Sequence, residues 1–228
     1  MYHQLKGLIL KAQISSEADK LLTIYTYEWG KITAIAPGAK KIKAKFSTST
    51  EPLTENEFYV YASRSSVRPK ITSVKPLNNF SELYCDWRRF TIAQYCSEIA
   101  EVLTPFNSEN ANKYELISRT LSLLETAKYP WRIFIAFTLR FLKLSGYSFI
   151  EYLRRNETAI SKYEKNIINK LATLSGEDVD KVFDLAPETE KNIKRYIDNY
   201  LNMYLPRSLA TKEFCQKINF SQHTVAAR

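Results

Sequence analysis

Hydrophobic and polar residues alternate with a period of two through the first eighty residues of the chain, in short runs separated by turn residues. Side chains of a strand point alternately to its two faces, so these runs predict strands buried on one side. Five strands are predicted, at residues 8–12, 21–27, 31–36, 58–61 and 71–74, the last closed by Pro76. Five short strands favour a small closed Greek-key barrel of the oligonucleotide-binding (OB) type, although other small barrels fit the same pattern.

Beyond about residue 80 the apolar period lengthens to three and four residues, which predicts helices. The predicted helices run from Phe90 to a stop before Pro105, across Tyr114–Leu124, from Pro130 to Gly146, from Asn156 to about Leu174, from Ser175 through Val182 and Phe183, and from Pro187 to Pro206. The third is apolar on nearly all sides and is predicted to be central and buried. We therefore predict an α+β protein, with a five-stranded OB-fold barrel over residues 1–80 and an all-α domain over residues 81–228.

The distribution of positive charge gives the first indication of function. The 228-residue chain has a net charge of +9, and residues 1–80 alone carry a net charge of +6. No acidic residue separates Glu28 from Glu51, and this stretch holds five lysines: Lys31, Lys40, Lys41, Lys43 and Lys45. Pro37-Gly38 ends the third predicted strand, so a cationic loop is expected to begin at the end of a strand that the sheet holds rigidly. Such a loop suits phosphate, although lysine-rich loops are also ordinary solvated surface.

A second cationic connection and several aromatic residues favour nucleic acid as the partner. Arg64 and Arg68 lie between the fourth and fifth predicted strands, and aromatic residues are interleaved with the charge at Trp29, Phe46, Tyr59 and Tyr61. Lysines can hold the backbone of a strand while aromatic faces accept bases irrespective of sequence. Alternate barrel positions must be buried, so only one of the last two tyrosines is expected to face outward.

Enzymatic chemistry has little support in the sequence. The histidines, His3 and His223, lie close to the two termini, which makes a histidine-based triad or metal centre improbable. Gly30-Lys31 lacks the flanking glycine and Ser/Thr of a phosphate-binding loop for ATP. Glu17 and Asp19 could mimic a catalytic pair, but a solvated face or a turn cap is the simpler interpretation. We predict that the chain is not an enzyme.

Cysteine usage and hydropathy bear on the compartment. Cys85, Cys96 and Cys215 are odd in number and widely spaced, as expected of buried thiols in a reducing cytoplasm and not of a disulfide framework. The first residues lack the basic, apolar and small-residue succession expected of a signal peptide, and the most apolar segment, Trp131 to Tyr147, is interrupted by three basic residues. We interpret that segment as the core helix of a soluble protein without a membrane partner.

Four segments near the N-terminus carry a specific pattern: Gly7-Leu8-Ile9-Leu10-Lys11; Glu17-Ala18-Asp19-Lys20-Leu21-Leu22-Thr23 with Thr26; Gly30-Lys31-Ile32; and Ala36-Pro37-Gly38-Ala39-Lys40-Lys41-Ile42-Lys43. Their spacing resembles the N-terminal signature of the RecO family of bacterial recombination mediators. Pro52 and the helical segment Phe137-Thr138-Leu139-Arg140-Phe141-Leu142-Lys143-Leu144-Ser145-Gly146-Tyr147 also resemble that family, so the similarity extends over most of the chain.

The resemblance implies a non-enzymatic DNA repair protein with an OB fold and a helical C-terminal domain. Such proteins bind single- and double-stranded DNA, anneal complementary strands, associate with RecR and with the acidic C-terminal tail of single-stranded DNA-binding protein, and help to load RecA. The expected location is the bacterial cytoplasm, in association with the nucleoid. By this resemblance the DNA-binding role falls on Lys31, Lys40, Lys41 and Lys43, with Lys11, Lys20 and Lys45 as neighbours.

The chain departs from the family pattern at two places. Many members carry a four-cysteine zinc module after the Gly-Tyr pair, whereas here no cysteine lies between Tyr147 and Cys215. We therefore predict no zinc and no other cofactor. Pro37 stands where the family commonly has lysine, and Lys40 replaces an arginine, so a point charge takes the place of a bidentate fork.

A second, peptide-binding site is expected on the helical domain. Arg132 and Arg140 interrupt an apolar helix and could flank a groove for an acidic, aromatic-ended peptide. Arginines on a buried helix can instead extend toward water or pair with local carboxylates such as Glu125. Three alternatives to the DNA function also remain open: an RNA-binding OB-fold protein of translation or RNA metabolism, a nuclease, and a scaffold that binds no nucleic acid.

Overall fold

A computed structural model describes residues 1–39, 48–62, 68–156, 159–181 and 185–217. The strands are β1 (Tyr2–Ile14), β2 (Lys20–Thr26), β3 (Gly30–Ala36), β4 (Glu55–Tyr61) and β5 (Lys70–Asn78). The helices are α1 (Trp87–Leu103), α2 (Ala111–Thr126), α3 (Pro130–Leu144), α4 (Phe149–Arg155), α5 (Lys162–Thr173), α6 (Gly176–Lys181), α7 (Pro187–Asn202) and α8 (Ala210–Lys217).

The five strands close into a barrel in the order β1-β2-β3-β5-β4, and β4 pairs back onto β1. All neighbouring strands are antiparallel except β3 and β5, which are parallel where Ile35 faces Lys70. The thirteen-residue β1 pairs with β4 along its first half and with β2 along its second half, and its register with β2 shifts between Ile9 and Lys11. The predicted five-stranded barrel followed by a helical region is confirmed.

Alternation along each strand builds the barrel core. Ile32, Ala34 and Ala36 are all buried, as their spacing predicts. Tyr59 and Tyr61 correct the expectation that only one of them faces outward, because both are exposed, whereas Phe58 and Val60 are buried. Residues two apart on a strand share a face, so the two tyrosines had to behave alike. β5 also continues past Pro76 to Asn78.

The helical part is organised around α3, whose side chains are buried from Arg132 through Leu139 and again at Phe141 and Leu142. This confirms the predicted central helix. The predicted helix from Asn156 to Leu174 is wrong at its start, because Ser161 and Glu164 form a capping box that begins α5 at Lys162. The sequence did not predict α4 or α8. No single described helix is long and apolar enough to cross a membrane, although α3 and α4 reach that length together, bent by 77°.

The barrel packs against the helices through a common hydrophobic core. Leu8, Leu10 and Tyr25 of the barrel belong to the same buried cluster as the helical core. Tyr114 donates its hydroxyl to Glu55 Oε1 at 2.6 Å, and Ser97 Oγ donates to the Leu10 carbonyl at 3.2 Å. Apolar burial and buried hydrogen bonds therefore hold the helices against one side of the barrel.

Candidate nucleic-acid interface

The turn that follows β3 is held in place at three points. Ile35 N donates to the Pro69 carbonyl at 2.9 Å, and Gly38 N donates to Asp19 Oδ1 at 2.8 Å. Gly38 has a φ of +68°, which glycine adopts without strain, and the side chain of Ala39 is buried in the barrel core. The lysine run starts directly after this anchored turn, but Lys40, Lys41, Lys43 and Lys45 lie outside the described residues.

Asp19 works as a turn cap. Its backbone N–H donates to Ser16 Oγ at 3.1 Å while its side chain accepts from Gly38, so it ties the β1–β2 turn to the end of β3. This confirms the simpler of the two interpretations of Asp19, since its carboxylate is committed to the backbone. It also places the first turn of the barrel next to the root of the lysine run.

Replacing Asp19 by Ala is expected to lower the free energy of unfolding by about 1–2 kcal/mol, because the Gly38 N–H loses its acceptor. Asp19→Asn is the matched control: its amide oxygen can still accept this hydrogen bond, so it should retain most of the stability. Urea unfolding followed by tryptophan fluorescence measures both. Equal losses in the two variants would show that the carboxylate charge, and not the Gly38 hydrogen bond, matters at this position.

The other predicted DNA-binding residues differ in their solvent exposure and in their contacts within the chain. Lys11 is exposed on β1, and Arg68 is exposed just before β5. Lys20 is already engaged, because its ammonium lies 2.5 Å from Glu51 Oε1 and 3.5 Å from Thr50 Oγ1. Arg64 lies outside the described residues. Lys11 and Arg68 are therefore the predicted cations that the described structure leaves exposed to solvent.

The structure corrects the prediction that Lys31 is one of the DNA-binding lysines. Lys31 is only 5% exposed, and its ammonium donates to the Glu101 carbonyl at 2.5 Å while lying 4.3 Å from the centroid of the Phe106 ring. Burial lowers the pKa of Lys31. A cation on a carbonyl in the last turn of α1 also complements the negative end of that helix. Lys31 therefore joins the barrel to the helices and does not face solvent.

The barrel topology and two family matches together decide the family. Residues 1–80 match the family described as Recombination protein O N terminal, and residues 85–150 match Recombination protein O C terminal. The two matches follow each other in order and together cover more than half of the chain. The chain belongs to the RecO family. The resemblance that carried the sequence-based identification is thereby confirmed.

Three relatives within the RecO family are named DNA repair protein RecO. The protein of Clostridium perfringens strain 13 is 33% identical over 167 residues, which cover 73% of this chain and 65% of the relative. That of Caldanaerobacter subterraneus is 26% identical over 143 residues, or 62% and 57% of the two chains. That of Syntrophus aciditrophicus is 28% identical over 146 residues, or 64% and 56%. Each match thus spans less than two thirds of the relative's length.

Arg132, on the helical side of this RecO family member, is buried and paired within the chain. Its Nε lies 3.6 Å from Glu190 Oε2, and its guanidinium carbon lies 3.8 Å from the centroid of the Tyr129 ring. Glu125, the partner considered from sequence, instead accepts from the Glu82 backbone N–H. Arg132 therefore links the first turns of α3 and α7, and its guanidinium is not presented to a peptide.

Arg140 is also engaged internally. Its Nε donates to the Ala172 carbonyl at 3.1 Å, and its Nη2 donates to the Leu171 carbonyl at 3.3 Å and to the Leu174 carbonyl. These carbonyls belong to the last turn of α5, so the guanidinium caps that helix end. Burial lowers the pKa of Arg140. The expected groove flanked by Arg132 and Arg140 is not formed by the described residues.

Replacing Arg140 by Ala is expected to lower the free energy of unfolding by about 2–4 kcal/mol, because several α5 carbonyls lose a charged donor. Arg119→Ala is the matched control. Arg119 is exposed on the neighbouring α2, so its loss should change stability by less than about 0.5 kcal/mol. Denaturant unfolding measures both variants. If the two losses proved equal, Arg140 would not be acting as a helix cap.

The cysteines and the other side chains that could ligate a metal are dispersed through the described part of this RecO family member. No group of three or more His, Cys, Asp or Glu side chains in the described ranges could hold a metal ion. Cys96 and Cys215 are buried as expected, whereas Cys85 is exposed, which corrects the expectation for that thiol. Burial raises the pKa of Cys215 to about 11, so this thiol stays protonated at neutral pH.

Proposed function

We propose that the chain is a DNA repair and recombination mediator that binds single- and double-stranded DNA through the phosphate backbone and anneals complementary strands. One observation carries the proposal: in a member of the RecO family, four lysines without an acidic neighbour follow the anchored turn at the end of β3. The exposed side chains of Lys11 and Arg68 add positive charge to the same barrel.

The mechanism requires charge neutralisation and no covalent step. Lysine ammonium groups contact phosphate oxygens and carry no sequence information, so any strand can be held. A strand whose phosphates are neutralised repels a complementary strand less, while its bases stay available for pairing. The proposed surface comprises Lys11, Lys40, Lys41, Lys43, Lys45, Arg64 and Arg68. Lys31 is left out because it is buried, and Lys20 is secondary because Glu51 already neutralises it.

The proposed partners follow from family membership. They are RecR, the acidic C-terminal tail of single-stranded DNA-binding protein, and RecA indirectly, with the chain acting in the bacterial cytoplasm at the nucleoid. The similarity of the chain to proteins named DNA repair protein RecO supports this assignment. Arg132 and Arg140 are not assigned to the tail contact, because both guanidinium groups are engaged within the chain.

An annealing assay tests the proposal. Complementary oligonucleotides, one of them fluorescent, are mixed with the chain, first bare and then coated with the cognate single-stranded DNA-binding protein, with and without RecR. The chain is expected to accelerate duplex formation well above the spontaneous rate and to leave the oligonucleotides intact in the presence of magnesium. A rate equal to the spontaneous one would refute annealing, and released nucleotides would indicate a nuclease instead.

Competition between DNA and RNA strands of the same sequence tests which of the two nucleic acids the chain prefers. Phosphate contacts alone do not separate the two, because the distinguishing group is the 2′-hydroxyl. A DNA repair function predicts that unlabelled DNA displaces a bound DNA probe at least as well as RNA of the same sequence. Displacement by RNA at much lower concentrations would favour the RNA-binding alternative.

A further inference from the structure

Three tyrosines lie side by side on the outer face of the barrel, on strands β1 and β4. Tyr2 of β1 and Tyr59 and Tyr61 of β4 are 76%, 38% and 41% exposed. Tyr2 stands directly opposite Tyr61, with ring centroids 5.2 Å apart, and Gln4 stands opposite Tyr59. These three residues are called the tyrosine strip below. Neighbouring large aromatic side chains left in water are typical of a binding surface.

The rings of the tyrosine strip are held in defined orientations. The Tyr59 hydroxyl donates to Glu57 Oε1 at 2.6 Å, and the Tyr2 and Tyr61 rings meet at an interplanar angle of 58°. Tyr59 and Tyr61 are two residues apart on one strand, a spacing of about 7 Å. Aromatic side chains that are already oriented lose little conformational freedom when a flat ligand stacks on them.

Positive charge lies at the Tyr61 end of the tyrosine strip. Lys70 lies opposite Tyr61 on β5, and the N-terminal ammonium donates to the Ala62 carbonyl one residue beyond Tyr61. Arg68 is exposed just before Lys70. The carboxylate nearest the strip, Glu57, lies opposite Lys75, which offsets its charge. Aromatic faces beside cations fit a ligand with flat bases and a negative backbone.

The strip is also continuous with the anchored turn. Lys70 pairs with Ile35 near the end of β3, and the neighbouring Pro69 carbonyl accepts from Ile35 N. Pro37 follows β3 and begins the turn that leads into the lysine run. Tyr61 and the start of the anchored turn at Pro37 therefore belong to the same end of the barrel. A strand whose phosphates meet the lysines can extend its bases across β4.

We propose that the tyrosine strip is a base-stacking surface for single-stranded DNA, continuous with the anchored turn. This inference rests on the proposed function and adds to it a preference between DNA forms. Every base has a face that can stack on tyrosine, so the surface needs no particular sequence. In a duplex those faces are covered by neighbouring bases, so the strip contributes to the binding of single strands only.

The test compares two triple variants, Tyr2→Ala/Tyr59→Ala/Tyr61→Ala and Tyr2→Phe/Tyr59→Phe/Tyr61→Phe, on three probes: oligothymidylate, an abasic strand of the same length, and a duplex. The alanine variant is expected to bind oligothymidylate about a hundred- to a thousandfold more weakly than wild type, since two or three stacks are lost and each is worth about tenfold. Its affinity for the abasic strand and the duplex should be unchanged. The phenylalanine variant should stay within about twofold of wild type throughout.

Tyr163→Ala serves as a matched control, because Tyr163 is 61% exposed on α5 and lies outside the barrel. Its affinity for all three probes should equal that of wild type. The inference is overturned if the alanine variant keeps the wild-type preference for oligothymidylate over the abasic strand, and the strip would then suit a protein partner. It is also overturned if all three probes weaken equally. If wild type itself bound none of the probes at low salt, the proposed DNA function would fail.

Discussion

Replacing Lys40, Lys41, Lys43 and Lys45 together by Glu is expected to lower the affinity of the chain for single-stranded DNA by several orders of magnitude at low salt. Each reversal changes the charge by two units, so the net charge falls from +9 to +1. The four phosphate contacts disappear, and the new carboxylates repel the backbone. Fluorescence anisotropy with a labelled oligonucleotide measures the loss, and annealing should fall in parallel.

A control variant with the same net charge separates local from general electrostatics. Lys143, Lys162, Lys165 and Lys191 lie on helices of the C-terminal part and can be reversed to Glu together. Because they lie away from the lysine run in the sequence and on a different fold unit, their reversal should lower DNA affinity far less. Equal losses in the two quadruple variants would mean that net charge, and not the turn after β3, determines binding.

Replacing Gly30 by Ala is expected to lower the free energy of unfolding by about 3–5 kcal/mol, which removes much of the stability of an ordinary domain. A Cβ atom at this position would lie 2.1 Å from the Ser108 carbonyl oxygen and 2.4 Å from its carbonyl carbon. Both are backbone atoms and cannot rotate away. The φ of +67° adds strain for any residue with a Cβ. Chemical denaturation measures the change.

Gly146→Ala is the matched control for that prediction. Gly146 also has a positive φ, +86°, but a Cβ there would meet no atom within 4 Å. Only the backbone strain remains, so the expected cost is about 1–2 kcal/mol. The difference between the two variants therefore reports the close approach of the β2–β3 turn to the segment before α2. Similar costs at both glycines would contradict that packing.

The barrel strands could be predicted from sequence because the alternation of apolar and polar residues is a local property of each strand. Alternation at Ile32, Ala34 and Ala36 identifies a strand with one buried face wherever that strand finally lies. The central helix α3 was equally accessible, since it is apolar on nearly all sides and begins at Pro130. Boundaries set by side-chain capping were less accessible: the start of α5 depends on the Ser161–Glu164 capping box and not on hydrophobic period.

The candidate site was harder to predict because exposure depends on what packs from elsewhere. Lys31 belongs by sequence to the lysine-rich stretch, yet α1 and Phe106 cover the outer face of β3 at that point. Arg140 likewise finds its carbonyl partners about thirty residues further along the chain. Periodicity identifies the face of an element but not its neighbour, so these two cations were misplaced.

The centre of the proposed site nevertheless comes from the sequence. The lysine run lies outside the described residues, so its role rests on its composition and on the turn that precedes it. The structure adds the anchoring of that turn by Asp19 and Pro69, and it reveals the tyrosine strip beside it. The strip could have been found by applying strand parity to Tyr59 and Tyr61 together, since neighbours two apart share a face.

The salt dependence of wild-type binding to a single-stranded oligonucleotide tests the central claim most directly. If four lysines neutralise four phosphates, the logarithm of the affinity should fall linearly with the logarithm of salt concentration, with a slope of about −3 or steeper. The quadruple Lys→Glu variant should lose this dependence together with its binding. A slope near zero in wild type, or no binding at low salt, would contradict the proposal that this chain holds DNA by its backbone.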